Sequence, residues 1–263
     1  MTQENLTVPK MAEMMATGQQ PEVLFWVGCS GSFDDRAKKI TKAFVKILNS
    51  ANVSFAVLGT EESCTGDPAK RAGNEFLFQM QAMTNIEVLN AYEVKKIVTA
   101  CPHCFNTIKN EYPGLGGQYE VVHHTEFLKS LLDDGRLTIE GGQFKGKKIT
   151  FHDPCYLGRA NNIYEAPRDL IEKLDAELVE MKRSRKNGLC CGAGGAQMFK
   201  EPEKGDKDVN VERTEDALET QPEIIAAGCP FCNTMLTDGV KAKNREEVKV
   251  MDVAELIANA KDL

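Results

Sequence analysis

Apolar residues along this chain fall into two alternating formats. Short continuous runs at 22–28, 53–58, 95–100 and 119–122 are strand-sized and bounded by turn residues. Between them the apolar positions spread out to helical spacing. Ala37, Ile40, Phe44, Ile47 and Leu48 mark one face of a helix over 34–50, with Ser32 or Asp34 placed to cap it. Phe76, Leu77, Met80 and Met83 mark a second helix over 73–89, a short helix follows Cys104, and a further one covers 125–132. The same alternation returns downstream. Strands are expected at 148–152, 176–181, 223–227 and 248–251, and helices at 164–174, 211–220, 233–243 and 253–260. The stretch 133–146 carries Gly135, Gly141, Gly142 and Gly146 and reads as a turn-rich linker. Strands alternating with helices predict an α/β fold of two tandem repeats of a parallel-sheet βαβ unit. The expected division is an N-terminal extension (1–20), a first cysteine-rich domain (21–135) and a second (147–263).

Composition narrows the function. At 263 residues and 42% apolar content, the chain is long enough for two packed cores. The net charge is −7 and no basic block is present, which argues against a nucleic-acid partner. No run approaches the roughly 18–20 apolar residues that span a bilayer. Residues 1–20 are polar with scattered Met, and lack the charged start and apolar middle of a secretory signal. A cytoplasmic protein is expected, seated peripherally on the inner face of the membrane if a partner anchors it.

The cysteines repeat. Nine are present, an odd number that forbids complete internal disulfide pairing. Cys29 to Cys155 and Cys64 to Cys190 are both 126 positions apart; Cys101 to Cys229 and Cys104 to Cys232 are both 128. Cys101-Pro102-His103-Cys104 matches Cys229-Pro230-Phe231-Cys232, and Thr65 occupies the place that Cys191 fills in the second copy. Such self-similarity identifies a duplicated unit.

Each cysteine is expected just beyond a strand's carboxyl end or in the loop leading to the next helix, where open parallel sheets bind ligands. Helix N-termini there favour anions and lower thiol pKa values. Three readings of the thiols follow. Zinc takes four ligands, and structural zinc sites pair two close Cys-x-x-Cys hairpins; here the thiols are dispersed and one set has five. A thioredoxin-like redox pair at Cys101 and Cys104 leaves Cys29 and Cys64 without a matching role. Iron–sulfur clusters, held by thiolates from dispersed loops, accommodate the pattern better.

The arrangement Cys155, Cys190-Cys191-Gly192 and Cys229-x-x-Cys232 resembles the cysteine-rich CCG domain. That domain is found in heterodisulfide reductase catalytic subunits and in iron–sulfur subunits of glycerol-3-phosphate, glycolate and lactate oxidising systems. The resemblance covers about residues 21–260. The string Thr65-Gly66-Asp67-Pro68-Ala69-Lys70-Arg71 is similar to the first-copy signature of membrane-associated heterodisulfide-reductase-like proteins, and within these to the electron-transfer-flavoprotein:menaquinone oxidoreductase group. The resemblance implies a non-cubane [4Fe–4S] cluster on Cys155, Cys190, Cys191, Cys229 and Cys232. The first copy departs from the pattern at Thr65, and its Cys29, Cys64, Cys101 and Cys104 suit an ordinary [4Fe–4S] cubane.

The function so implied is a redox subunit of a multi-subunit oxidoreductase. It would pass electrons between an electron-transfer flavoprotein or dehydrogenase and the menaquinone pool, with a membrane-bound haem or ferredoxin-domain subunit, or another redox subunit, as partner. The other readings are a subunit of a lactate or glycolate oxidase complex, a thiol/disulfide reductase subunit, and a non-enzymatic metal-binding scaffold.

Other residues invite weaker readings. His152 precedes Cys155 and suits either a hydrogen bond to a cluster or a bond to backbone. His123-His124 read as structural before proton transfer. Gly192-Ala193-Gly194-Gly195 and Gly66 suit close backbone approach to a cluster. Lys182-Arg183-Ser184-Arg185-Lys186 reads as a solvated loop or a dock for an acidic surface. Met11, Met14 and Met15 have helical spacing and suit packing on a partner subunit or on their own domain.

Overall fold

The structure, a computed structural model, describes residues 6–139, 142–201 and 204–263. Residues 1–5 of the N-terminal extension and Gly141 of the linker lie outside the described residues. In chain order the first half contains α1 (Met11–Ala16), β1 (Val23–Trp26), α2 (Gly28–Phe33), α3 (Ala37–Ser50), β2 (Phe55–Ala56), α4 (Asp67–Arg71), α5 (Glu75–Ala91), β3 (Lys96–Thr99), α6 (Pro102–Asn106), β4 (Glu120–His123) and α7 (His124–Asp133). The second half contains β5 (Lys148–His152), α8 (Gly158–Asn161), α9 (Glu165–Glu172), β6 (Glu177–Leu178), α10 (Val209–Glu219), β7 (Ile224–Ala227), α11 (Pro230–Ala242), β8 (Lys249–Asp252) and α12 (Val253–Ala260).

Each half folds around its own four-stranded parallel sheet, ordered β2-β1-β3-β4 and β6-β5-β7-β8. The two orders are identical under the repeat, as the duplicated cysteines require. Strand order reverses between β1 and β3, and again between β5 and β7. This places a crevice at those strands' carboxyl ends.

The central strands are apolar on both faces because helices cover both. Alternation along them sorts side chains to two sides. Val23 and Phe25, with Ile149 and Phe151, point into one buried cluster that also takes in Phe44, Leu48, Leu128 and Leu256. Leu24 and Trp26 point the other way, into a cluster holding Cys101 and Cys104. A third cluster holds Cys191, Cys229 and Cys232. Two separate cores are therefore not what forms. The largest cluster is shared, built where α3 packs on α12 and α7 on α9. Under the repeat α3 corresponds to α9 and α7 to α12, so the two packings are equivalents of one another.

The shared face is fastened by polar groups. His124 Nε2 lies 2.8 Å from Asp252 Oδ1, with both side chains at 0% exposure. Arg36 bonds Glu255 through two nitrogens at 2.6 and 2.8 Å. Asp252 also caps α12: its Oδ1 accepts from Ala254 N, while Glu255 Oε2 accepts from Asp252 N. His123 caps α7, touches His124 at 3.2 Å and bonds Thr125 Oγ1 at 2.7 Å. Burial, reinforced by His124, holds His123 well below the usual histidine range, so it stays neutral. The histidine pair thus knits the two units together.

Several elements differ from the sequence expectation. Edge strands β2 and β6 are two residues long, shorter than the runs 53–58 and 176–181, and each pairs in register over two positions. The N-terminal segment supplements β2, where Met11 N donates to Val57 O and Val57 N donates to Pro9 O. Met11 is buried and Met14 and Met15 pack on the first unit, so the methionines serve their own fold. Helix α11 begins at Pro230 rather than 233, since proline is well placed in a first helical turn and Cys229 precedes it as N-cap. Among the described residues no helix is long and apolar enough to cross a membrane.

Replacing Asp252 by alanine strips the cap from α12 and leaves His124 buried without its partner. The expected loss is about 3–5 kcal/mol. Asp133→Ala, which breaks only the exposed pair with Lys129, should cost less than about 1 kcal/mol. Urea unfolding midpoints of the two variants check the contrast.

Candidate metal centres

In the second unit, five thiols form one continuous string. Cys155 follows β5 after the turn Asp153-Pro154, Cys190 and Cys191 come from the long loop before α10, Cys229 follows β7, and Cys232 lies in the first turn of α11. Cys155 is hydrogen-bonded to Cys190, Cys190 to Cys191, Cys191 to Cys232 and Cys232 to Cys229. The Cys191 and Cys232 sulfurs are 3.2 Å apart, and Gly192 N donates to Cys190 Sγ at 3.3 Å. A ring nitrogen of His152 lies within 4.8 Å of the Cys191 and Cys232 sulfurs.

The first unit assembles four. Cys29 bonds Cys64 and Cys101 bonds Cys104, and the pairs are close enough that Cys29 and Cys64 disfavour ionisation of Cys104. Thr65 Oγ1 donates to Cys104 Sγ at 3.9 Å. That contact is the counterpart of Cys191 on Cys232, with a hydroxyl in place of a thiol. Gly28 adopts φ +78°, and a Cβ there would sit 3.3 Å from Cys104 Sγ, so only glycine fits beside the sulfur.

Protons are divided unevenly among these thiols. Hydrogen bonding from Cys29 pulls Cys64 down to about 7 and raises Cys29 in exchange. Hydrogen bonds from Cys155 and Cys191 push Cys190 far below the ordinary thiol range, while Cys155 and Cys191 are raised. Cys101 is lowered by Cys104, which keeps its own proton. Each unit therefore holds thiols that ionise more readily beside thiols that hold their protons, and the latter would give them up when a metal binds. All nine cysteines are free of disulfide bonds. Soft thiolate donors suit zinc or iron–sulfur clusters, and five in one string exceed the four that tetrahedral zinc takes.

The family model described as "Cysteine-rich domain", CCG, matches residues 23–109 and 149–237. The chain belongs to the CCG cysteine-rich domain family. It is 50% identical over 255 residues to the "probable iron-sulfur-binding oxidoreductase FadF" of Bacillus subtilis, covering 96% of this chain and 36% of that protein. It is 46% identical over 250 residues to the "EtfAB:quinone oxidoreductase" of Syntrophomonas wolfei, covering 92% and 35%. It is 34% identical over 246 residues to one component of the "dihydromethanophenazine:CoB--CoM heterodisulfide reductase" of Methanosarcina barkeri, covering 91% and 59%. The chain thus spans little more than a third of the first two relatives.

The two CCG thiol sets face each other across a packed seam. His103 and Phe231 hold the same place in the two Cys-Pro-x-Cys turns, and their rings meet edge-on at 5.4 Å. His103 also stacks on Tyr156, the neighbour of Cys155, at 4.4 Å. Burial opposes a charged His103, but Asp67 Oδ2 at 2.9 Å and nearby Cys101 and Cys229 outweigh it, and its pKa is pushed up to about 9. Asp67 is also bonded to Arg71, which reaches on to Glu111. The string 65–71 therefore carries an ion-pair network under the seam.

Sequence reasoning passed over Asp67, Glu62, Tyr156 and Arg213. Of these, only Asp67 had a signal, its place in that string. Glu62 accepts from Val27 N at 2.9 Å and Gly28 N at 2.6 Å, pinning the turn that carries Cys29. Two of the glycines also answer to packing among the protein's own side chains. Gly66 and Gly192 have φ +88° and +90°, and their missing Cβ atoms make room for Phe78 and for Val209 and Met235. The two arginines of the basic patch are paired internally, Arg183 with Asp216 and Glu212, and Arg185 with Glu165, while Lys182 and Lys186 are exposed.

An apolar cleft of about 300 Å³ opens at Cys29 between the units, lined by Phe33, Met198, Phe199 and Phe231. Phe33 is 82% and Phe199 63% exposed, so this mouth presents large aromatic surface to solvent.

Burial pushes Glu62 up to about 7 from 4.5. A carboxyl raised in the folded state adds stability that is full below about pH 4.5 and is lost as pH rises through about 7. Wild-type unfolding midpoints should therefore fall relative to those of Glu62→Gln across that window. Paired urea titrations at its two ends measure the difference.

Proposed function

We propose that this chain is the iron–sulfur redox portion of a larger oxidoreductase. Cys155, Cys190, Cys191, Cys229 and Cys232 would hold a non-cubane [4Fe–4S] cluster, and Cys29, Cys64, Cys101 and Cys104 a [4Fe–4S] cubane. The observation that carries this reading is the difference between the two strings. Cys191 meets Cys232 at 3.2 Å, where in the first unit only the Thr65 hydroxyl meets Cys104. A fifth thiolate would be available to hold the cluster in the second unit, and none is offered in the first. Bound there, such clusters accept and release electrons at potentials set by the surrounding charge and hydrogen bonds.

The protein's own groups position that chemistry. Glu62 and the strand ends fix the loops, and the apolar clusters around Cys101, Cys104, Cys229 and Cys232 keep water from the sulfurs. The seam of His103, Tyr156 and Phe231 brings the two thiol sets together, so electrons entering at one unit have a short route to the other. The cleft beside Cys29 fits a flat, apolar acceptor ring such as a quinone head group. The donor in this reading is an electron-transfer flavoprotein or dehydrogenase and the acceptor the menaquinone pool; the name EtfAB:quinone oxidoreductase of one relative supports EtfAB and a quinone as the two ends. A membrane-associated redox partner is supported by a further relative, 42% identical over 263 residues, named "probable membrane-anchored ferredoxin" in Chromohalobacter salexigens.

Anaerobic reconstitution should load about eight irons per chain, two four-iron clusters. Cys191→Ser should change the electron paramagnetic resonance signal of the second cluster alone, and Cys64→Ser that of the first. About four irons in the wild type would remove one cluster, and a colourless zinc-loaded protein would remove the reading.

A further inference from the structure

The last residues of the two central strands, Trp26 and His152, occupy the same place in the repeat, three positions before Cys29 and Cys155. Both are 0% exposed. Both carry a buried ring nitrogen, Trp26 Nε1 and His152 Nε2, with no hydrogen-bond partner among the described residues. Leaving a buried donor unmade costs about 1–3 kcal/mol. The same unmet donor at the same place in both units therefore points to an acceptor that each position shares.

The direction is set by the pleat. Phe25 and Phe151 face the core shared between the units, so the next residues face away from it. Trp26 thereby joins the cluster that contains Cys101 and Cys104. A ring nitrogen of His152 lies within 4.8 Å of the Cys191 and Cys232 sulfurs.

The tautomer of His152 follows from its other nitrogen. Arg213 Nε, which always carries hydrogen, donates to His152 Nδ1 at 2.9 Å. Nδ1 is therefore the bare nitrogen of the neutral ring, and Nε2 bears the proton. A protonated Nε2 cannot bind iron through its lone pair. It can only donate. Arg213 is fully buried and is itself oriented by Arg183 O and Asp216.

We propose that His152 Nε2–H, with its tautomer fixed by Arg213, and Trp26 Nε1–H donate hydrogen bonds to sulfur of the second and first clusters respectively. They are positioning residues that tune potential. This rests on the cluster reading above. An N–H aimed at cluster sulfur stabilises the more negative, reduced state and raises the reduction potential.

The test is an anaerobic redox titration of the reconstituted full chain, followed by electron paramagnetic resonance, with iron counted in every sample. His152→Leu should lower the second cluster's potential by about 59 mV or more, a tenfold change in its reduced-to-oxidised ratio for one electron. The first cluster should not move. Trp26→Phe should do the reverse. His152→Gln, which keeps an N–H donor, should recover much of the loss. In ¹⁵N-histidine-labelled wild type, the second cluster should show a weak histidine coupling that His152→Leu removes.

Full iron with unmoved potentials in both variants overturns this inference alone. So does a strong coupling diagnostic of nitrogen bound to iron. Wild-type chain that takes up no iron overturns the cluster reading and this one with it. If His152→Leu fails to load iron, the wild-type coupling and the Trp26→Phe titration decide.

Discussion

Sulfurs drawn from three separate loops must reach one another within hydrogen-bonding distance in each unit, and much of the architecture answers to that constraint. Thiols at such range cannot all ionise, because neighbouring negative charges repel. The chain responds by sharing protons along the string, leaving Cys190 ionised between protonated Cys155 and Cys191. Parallel sheets supply the geometry. The order reversal beside β1 and β5 opens a crevice at the carboxyl ends of paired strands, so Cys29 and Cys101, like Cys155 and Cys229, emerge side by side. The loops are then held by specific contacts, Glu62 on the Cys29 turn and Arg168 on Asp153 beside Cys155.

The duplicated units are alike in backbone and unlike in chemistry. Thr65 faces Cys104 as Cys191 faces Cys232, His103 stands where Phe231 stands, and Trp26 where His152 stands. Each substitution lies next to sulfur, and none disturbs strand order. Duplication gave two equal frames, and changes beside the thiols made them unequal. The two thiol sets therefore lie in one folded chain with different side chains beside them.

The two frames are joined by the shared core. Neither unit buries its α3-type or α7-type helix alone; each packs both against the other unit. The buried His124–Asp252 pair makes a misaligned docking costly, since separation would leave a carboxylate without its partner in an apolar setting. The seam between the thiol sets is thereby held in register from the opposite side of the molecule.

The sequence alone was enough for the α/β class, the eight strands and the cysteine repeat. Hydrophobic period and residue spacing are local properties, and apolar runs such as 23–27 leave little choice. The five-thiol and four-thiol groupings were legible for the same reason, because offsets of 126 and 128 survive in the numbering. Its limits came where partners are distant in the chain. Glu62 meets Val27, Arg213 meets His152 and His124 meets Asp252 across 35, 61 and 128 positions, with no spacing rule to announce them. Only the folded chain decided that the two units share a core, that the arginines of 182–186 are paired internally, and that Trp26 and His152 hold the same unmet donor. Those facts depend on which faces meet, and packing of surfaces is settled in three dimensions by shape, burial and charge together.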